Sequence, residues 1–152
     1  MNHITVHPSS RVRGSIRVPG DKSISHRVLL LGALAEGVSQ ATHFLPSSDC
    51  LATVDCLRGL GVTIDRDSPT SLRIHGGTLR APSTPLNCAR SGTTMRLLAG
   101  ILASQPFETI LTGDKQLLRR PMRRIVEPLR HMNAEIFDTD GHAPLTIRGR
   151  PL

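Results

Sequence analysis

The 152-residue sequence predicts an α/β protein in which a βαβαββ unit is used twice. Three observations carry this. Two strongly apolar helical stretches, HRVLLLGALAEG and MRLLAGILASQP, lie about 70 residues apart and both open with an arginine. Each is preceded by a short strand and a polar turn. Each is followed by a β-prone stretch, an amphipathic helix and two short strands. The corresponding helices also match in polarity, which favours duplication of one unit over two unrelated stretches, and the period is too long for a solenoid.

The first unit spans residues 14–80. Its run Val28–Ala35 is too apolar for a surface helix and is expected to be buried. A strand is expected at Gln40–Leu45. Leu51, Val54 and Leu57 then mark an amphipathic helix, with Ser48 or Asp49 as cap and Gly61 as stop. Strands at Val62–Asp65 and Leu72–His75 close the unit around the turn DSPT. The second unit spans residues 81–152 and repeats this order. Its β-prone stretch is Glu108–Leu111, and Met122, Ile125, Val126, Leu129 and Met132 recur at helical spacing. Pro121 suits the first helical position, and Arg123, Arg124 and Arg130 face outward. Strands Ala134–Phe137 and Leu145–Arg148 flank the turn DTDGHAP.

Composition narrows the function. Nineteen Lys and Arg against twelve Asp and Glu give +7, a balance suited to nucleic acid, a membrane surface or small polyanions. Base stacking needs aromatic side chains, but the chain has three Phe and no Trp or Tyr, none near the basic clusters. Small acidic metabolites are therefore the expected partners, and neither nucleic acid nor membrane is. Cys50, Cys56 and Cys88 are odd in number and lack Cys-x-x-Cys spacing, and the seven histidines show no metal spacing. Neither a disulfide framework nor a metal site is expected. The first residues, MNHITVHPSS, have no signal-like apolar core, and no run approaches the roughly 20 apolar residues that span a bilayer. The expected location is the cytoplasm.

The most informative segment is Gly20-Asp21-Lys22-Ser23-Ile24-Ser25-His26-Arg27. A glycine turn, a lysine and a serine stand where a helix begins, and unpaired N–H groups and the helix dipole there favour an anion. Ser23 and Arg27 are four residues apart and share a helix face. Together they form a pocket for phosphate or carboxylate. His26 reads as a packed or capping residue rather than a catalyst.

Pro19–Arg27 (PGDKSISHR) resembles the opening signature of the 5-enolpyruvylshikimate-3-phosphate synthase family. Two further motifs agree in order and spacing. Ser91-Gly92-Thr93-Thr94-Met95-Arg96-Leu97-Leu98 resembles the family's glycine-threonine helix start. Gly113-Asp114, Arg120-Pro121-Met122 and Glu127-Pro128-Leu129 resemble its G-D…R-P-M…E-P-L stretch. The resemblance implies a fold of six βαβαββ units in two globes of three, with the active site between the globes. The two units here would then be the first two of the N-terminal globe, and residues 1–13 a strand of the second globe. A third unit and the C-terminal globe are expected to lie outside this chain, so the chain alone is expected to be inactive.

The resemblance also implies an activity: transfer of the carboxyvinyl group of phosphoenolpyruvate to the 5-hydroxyl of shikimate 3-phosphate, with release of phosphate and no cofactor. By that resemblance Lys22 contacts both substrates and assists proton transfer. Ser23 and Arg27 bind shikimate 3-phosphate. Arg90, Ser91, Gly92, Thr93 and Arg120 belong to the phosphoenolpyruvate side. Roles for Arg96 and Asp49 stay open between substrate and structure. The chain departs from the family at Ala89-Arg90, where Gly-Asn is usual, and at Gln116, where serine is common. Arg90 is expected to add a full charge on the phosphoenolpyruvate side and to alter discrimination against glyphosate, the herbicide that occupies its place. Two other classes remain. One is a non-catalytic anion- or nucleic-acid-binding module on the same repeat. The other is a sister enolpyruvyl transferase acting on a UDP-sugar, against which the D-K-S-x-S-x-R opening argues.

Overall fold

Among the described residues before Lys22 the chain forms neither helix nor strand, although Val12, Ile16 and Val18 supply a strand-like pattern. The computed structural model describes residues 3–151. The strand expected over residues 1–13 is therefore not formed at residues 3–13, and Met1 and Asn2 lie outside the described residues. The short strand expected before the first helix is also missing. A strand is held by the ladder it shares with a neighbour, and no strand of the described residues pairs with this segment.

Helix α1 (Lys22–Leu34) is followed by β1 (Gly37–Thr42), α2 (Ser48–Gly59), β2 (Thr63–Ser68) and β3 (Ser71–Gly76). Next come β4 (Leu86–Asn87), α3 (Gly92–Leu102), β5 (Glu108–Thr112), the short α4 (Lys115–Leu118), α5 (Arg123–His131), β6 (Glu135–Thr139) and β7 (His142–Arg148). The first sheet has the order β1-β3-β2 and the second β4-β5-β7-β6. β1, β3 and β2 are antiparallel neighbours, as are β5, β7 and β6, while β4 runs parallel to β5. Arg148 bridges the second sheet, meeting Glu108 at 2.7 Å and Glu135 at 3.1 Å.

Several boundaries differ from the sequence reading for local reasons. Helix α2 is capped by Ser47, whose hydroxyl accepts from Cys50 N–H, so Ser48 and Asp49 fall in its first turn. Three consecutive capping residues make that choice invisible locally. Gly61, with φ of +87°, does end the turn after α2. Pro121 lies outside α5 in a bridge to His142, because Met122 N–H donates to the Gly141 carbonyl at 2.7 Å. β1 begins three residues earlier than expected. Met132, expected on the apolar stripe of α5, is exposed just beyond the helix.

Leu29, Leu30 and Ala33 of α1 enter one core with Leu57, Leu72 and Ile74, continuous with Met95, Leu98, Leu145 and Ile147 of the second half. The expectation that all of Val28–Ala35 is buried does not hold. Leu31 is 67% exposed, and Ile24 and Leu34 are exposed beside it. No described element covers that face of α1. The three cysteines are free; Cys56 Sγ and Cys88 Sγ lie 4.0 Å apart, about twice a disulfide bond length. The Cys56 hydrogen bond and burial push the Cys88 thiol up. No helix among the described residues is long and apolar enough to cross a membrane.

Candidate functional site

The start of α1 is set by Asp21, whose carboxylate accepts from Ile24 N–H at 2.7 Å. This cap puts Lys22 and Ser23 in the first turn, both exposed. Leu45 N–H donates to the Ser25 hydroxyl at 2.9 Å and ties the turn to the chain after β1. Lys22 Nζ lies 3.4 Å from an Asp49 carboxylate oxygen in the first turn of α2. The pair is partly exposed, so solvent screens it, and its value lies in orientation more than in stability. Ser23 and Arg27 make no side-chain hydrogen bond or ion pair with the described residues. Arg27 instead borders the exposed apolar face formed by Ile24, Val28 and Leu31.

A second helix start faces the same region. Ser91 N–H donates to the Cys88 carbonyl at 2.8 Å, closing the turn that leads into α3. Ala89 in that turn has φ of +48°, a left-handed conformation in which glycine is unstrained. Ser91 caps α3 by accepting from Thr94 N–H at 3.1 Å. It is fully buried, so it shapes the helix start without facing solvent. Beside it, Gly92 lies under two guanidinium groups. A Cβ at Gly92 would stand 2.5 Å from an Arg96 nitrogen and 3.2 Å from an Arg120 nitrogen. Arg96 is also held to the Pro121 carbonyl at 3.1 Å. Thr93 is half-buried beside this cluster.

The Gly113-Asp114 motif abuts the turn before α3. Asp114 N–H donates to the Ala89 carbonyl at 2.9 Å, and its carboxylate caps α4 through Gln116 and Leu117 N–H. The other carboxylate oxygen meets Arg90 Nε at 2.8 Å. Leu117 N–H, joined by Arg90 and Gln116 N–H, holds the Asp114 carboxyl below the usual carboxylate range. Arg90 therefore does not add the full charge expected of it, because Asp114 balances part of that charge. Arg90, Asp49, Asn87 and Asp114 line one open concavity.

Asp49 joins the two helix starts. Its side chain meets Lys22, and its backbone carbonyl lies 3.3 Å from the Thr94 hydroxyl. The structure thus brings Lys22 and, through Thr94, the start of α3 to the first turn of α2; Arg96 and Arg120 lie over Gly92, and Arg90 shares a concavity with Asp49. Ser23 and Arg27 stand apart along α1. Thr53 is the residue that the sequence reading missed, its only local signal a polar side chain on an otherwise apolar helical face; Thr94 was quoted within the α3 motif without a role of its own. No group of three His, Cys, Asp or Glu that could hold a metal occurs among the described residues.

Two helix N-termini, each with cationic side chains beside it and joined through a third helix, make a surface chemically suited to anions. The family model described as EPSP synthase (3-phosphoshikimate 1-carboxyvinyltransferase) matches residues 6–152, and the chain belongs to that family. The 3-phosphoshikimate 1-carboxyvinyltransferase of Acidithiobacillus ferrooxidans is 54% identical over the whole chain, which covers 36% of that protein. The protein of the same name from Chloroflexus aurantiacus is also 54% identical, with the same coverage. The solved EPSP synthase from Acinetobacter baumannii superposes with a TM-score of 0.85 at 45% identity, over 90% of this chain and 32% of that one. The chain spans about a third of the length of these relatives.

Proposed function

We propose that the chain is the N-terminal part of an enzyme that transfers the carboxyvinyl group of phosphoenolpyruvate to the 5-hydroxyl of shikimate 3-phosphate. The observation that carries this reading is the attachment of both helix starts to Asp49. Lys22 meets its carboxylate, and α3, with Gly92 beneath Arg96 and Arg120, meets its carbonyl through Thr94. The names of the relatives supply the acceptor, 3-phosphoshikimate, and the carboxyvinyl group transferred; the family resemblance supplies phosphoenolpyruvate as its donor.

In this reading, residues 14–80 and 81–152 are two of three units of one globe, and residues 1–13 become a strand only when the other globe supplies the neighbour that they lack here. Lys22, Ser23 and Arg27 take shikimate 3-phosphate. Lys22, Arg90, Gly92, Thr93 and Arg120 take phosphoenolpyruvate, and Ser91 acts through its cap. The substrate hydroxyl gives up its proton to a base as its oxygen adds to the central carbon of phosphoenolpyruvate, and an acid delivers a proton to the methylene carbon. The tetrahedral intermediate then loses phosphate and a methyl proton, which restores the double bond. Lys22 is the residue of this chain suited to hold or move a proton there, and the guanidinium groups bind phosphate and carboxylate through paired donors. The reaction uses no cofactor and takes place in the cytoplasm. This chain alone is inactive, because half a cleft leaves the reacting groups in water.

Calorimetric titration with shikimate 3-phosphate tests the assignment, on the chain alone and then mixed with the C-terminal remainder of the Acidithiobacillus ferrooxidans relative. Binding and turnover in the mixture support the assignment. Neither in either sample leaves a simple anion-binding module and overturns it. Arg90 tunes discrimination between phosphoenolpyruvate and glyphosate from the rim. In the active assembly, Arg90→Asn should alter the ratio of the two affinities by about threefold, the scale of an exposed ion pair; an unchanged ratio refutes that role.

A further inference from the structure

Four polar side chains are sealed in the joint between α1, α2 and α3. His26, Thr53, Thr94 and Ser91 are each 0% exposed. Hydrogen bonds run along them: His26 Nδ1 to Thr53 Oγ1 at 2.8 Å, Thr53 Oγ1 to Thr94 Oγ1 at 2.7 Å, and Thr94 Oγ1 to Ser91 Oγ at 2.7 Å. A buried row of this kind is costly if any link is left unmade, so it specifies one arrangement of its helices.

The hydrogens in the row can be assigned. Each hydroxyl owns one. That of Thr94 has the Ser91 oxygen and the Asp49 carbonyl as acceptors. Thr53 therefore donates to Thr94, and the Thr53 oxygen accepts from His26 Nδ1–H. His26 is then the neutral Nδ1–H tautomer, and its Nε2 carries a bare lone pair. That nitrogen is a buried polar atom without a partner. A missing acceptor contact is a lesser penalty than an orphaned N–H, which favours this direction over its reverse.

We propose that Thr53 is a positioning residue for the phosphoenolpyruvate side of the site. Acting through Thr94 and the Ser91 cap, it sets where the first amides of α3 stand relative to Lys22, which the same helix α2 meets through Asp49. α2 is thus the spacer between the two anion sites: Asp49 works on the cleft side and Thr53 inside the core. This inference rests on the function proposed above. Valine at position 53 keeps the shape of threonine, but it removes the donor to Thr94 and the acceptor of His26.

The test uses this chain joined to the C-terminal remainder of the Acidithiobacillus ferrooxidans relative. Thr53→Val should raise KM for phosphoenolpyruvate about tenfold, the size of one buried hydrogen bond lost, and KM for shikimate 3-phosphate less than about twofold. Thr53→Ser should restore the unsubstituted values. If Thr53→Val does not fold, Thr94→Val breaks the row one link nearer the site and should give the same split. An active assembly in which these variants lower thermal stability but leave both KM values unchanged overturns the positioning role. No turnover in the unsubstituted assembly overturns instead the functional reading on which the role rests.

Discussion

At the scale of single residues, the space over Gly92 is taken up by two guanidinium groups. A methyl group there meets the flexible ends of Arg96 and Arg120 and no backbone outside its own helix, so those guanidinium groups can swing aside. Gly92→Ala should leave the fold intact and displace both cations from the anion. In the assembled enzyme, KM for phosphoenolpyruvate should rise about tenfold with an unchanged unfolding midpoint. His26 gives a second prediction. Burial lowers its pKa from the ordinary 6.5, Lys22 adds to that shift, and Asp49 opposes it. The unfolded chain therefore binds the proton more readily than the folded one. The contribution of neutral His26 is complete above pH 6.5 and shrinks as pH falls below it, until the folded-state pKa is passed. Urea midpoints between pH 7.5 and 5.5 should drop more steeply for the unsubstituted chain than for His26→Gln; equal slopes refute the assignment.

At the scale of elements, α1 shows how packing decides what a helix exposes. Its apolar run was legible from VLLLGALA and its start from Lys22 and Ser23, while the Asp21 cap on Ile24 N–H came from the structure. Which of its faces is covered was not legible, because leucines point to both sides of the helix. Close approach of α1 to β3 selects the buried face. A Cβ on Gly76 would collide with the carbonyl oxygens of Gly32 and Ala35, backbone atoms that cannot rotate away. Gly76→Ala should cost about 3 kcal/mol or more, or prevent folding, as read by urea unfolding. A variant of near-native stability would mean that α1 stands off the sheet. The closing hairpin of each half was legible, since period-two apolar residues flank turn residues in DSPT and DTDGHAP, whereas the full βαβαββ order is not formed in the first half and is interrupted by α4 in the second. The strand before α1 does not form, because a strand pattern without a neighbour has no ladder to join. Its counterpart β4 pairs with β5 and forms, although over two residues only.

At the scale of the whole molecule, the face of Ile24, Leu31 and Leu34 leaves apolar surface in water beside the shikimate-side residues of the proposed site. Surface of that kind drives association. Sedimentation of the isolated chain should show concentration-dependent self-association, weakened by Leu31→Lys; a monomer at all concentrations would count against it. The sequence by itself determined the class of elements, most of their order and the family, and it singled out Lys22, Gly92 and Arg120 for the proposed anion site. All of these rest on local pattern: apolar periodicity, helix-start residues and short motifs. Only the tertiary structure decided that Asp49 serves both helix starts, that Ser91 is sealed inside while Gly92 lies under two arginines, and that Asp114 offsets Arg90. It also joined His26, Thr53, Thr94 and Ser91 into one row. Those residues are up to 68 positions apart, and a hydrogen bond depends on where side chains meet in space, which no local pattern encodes.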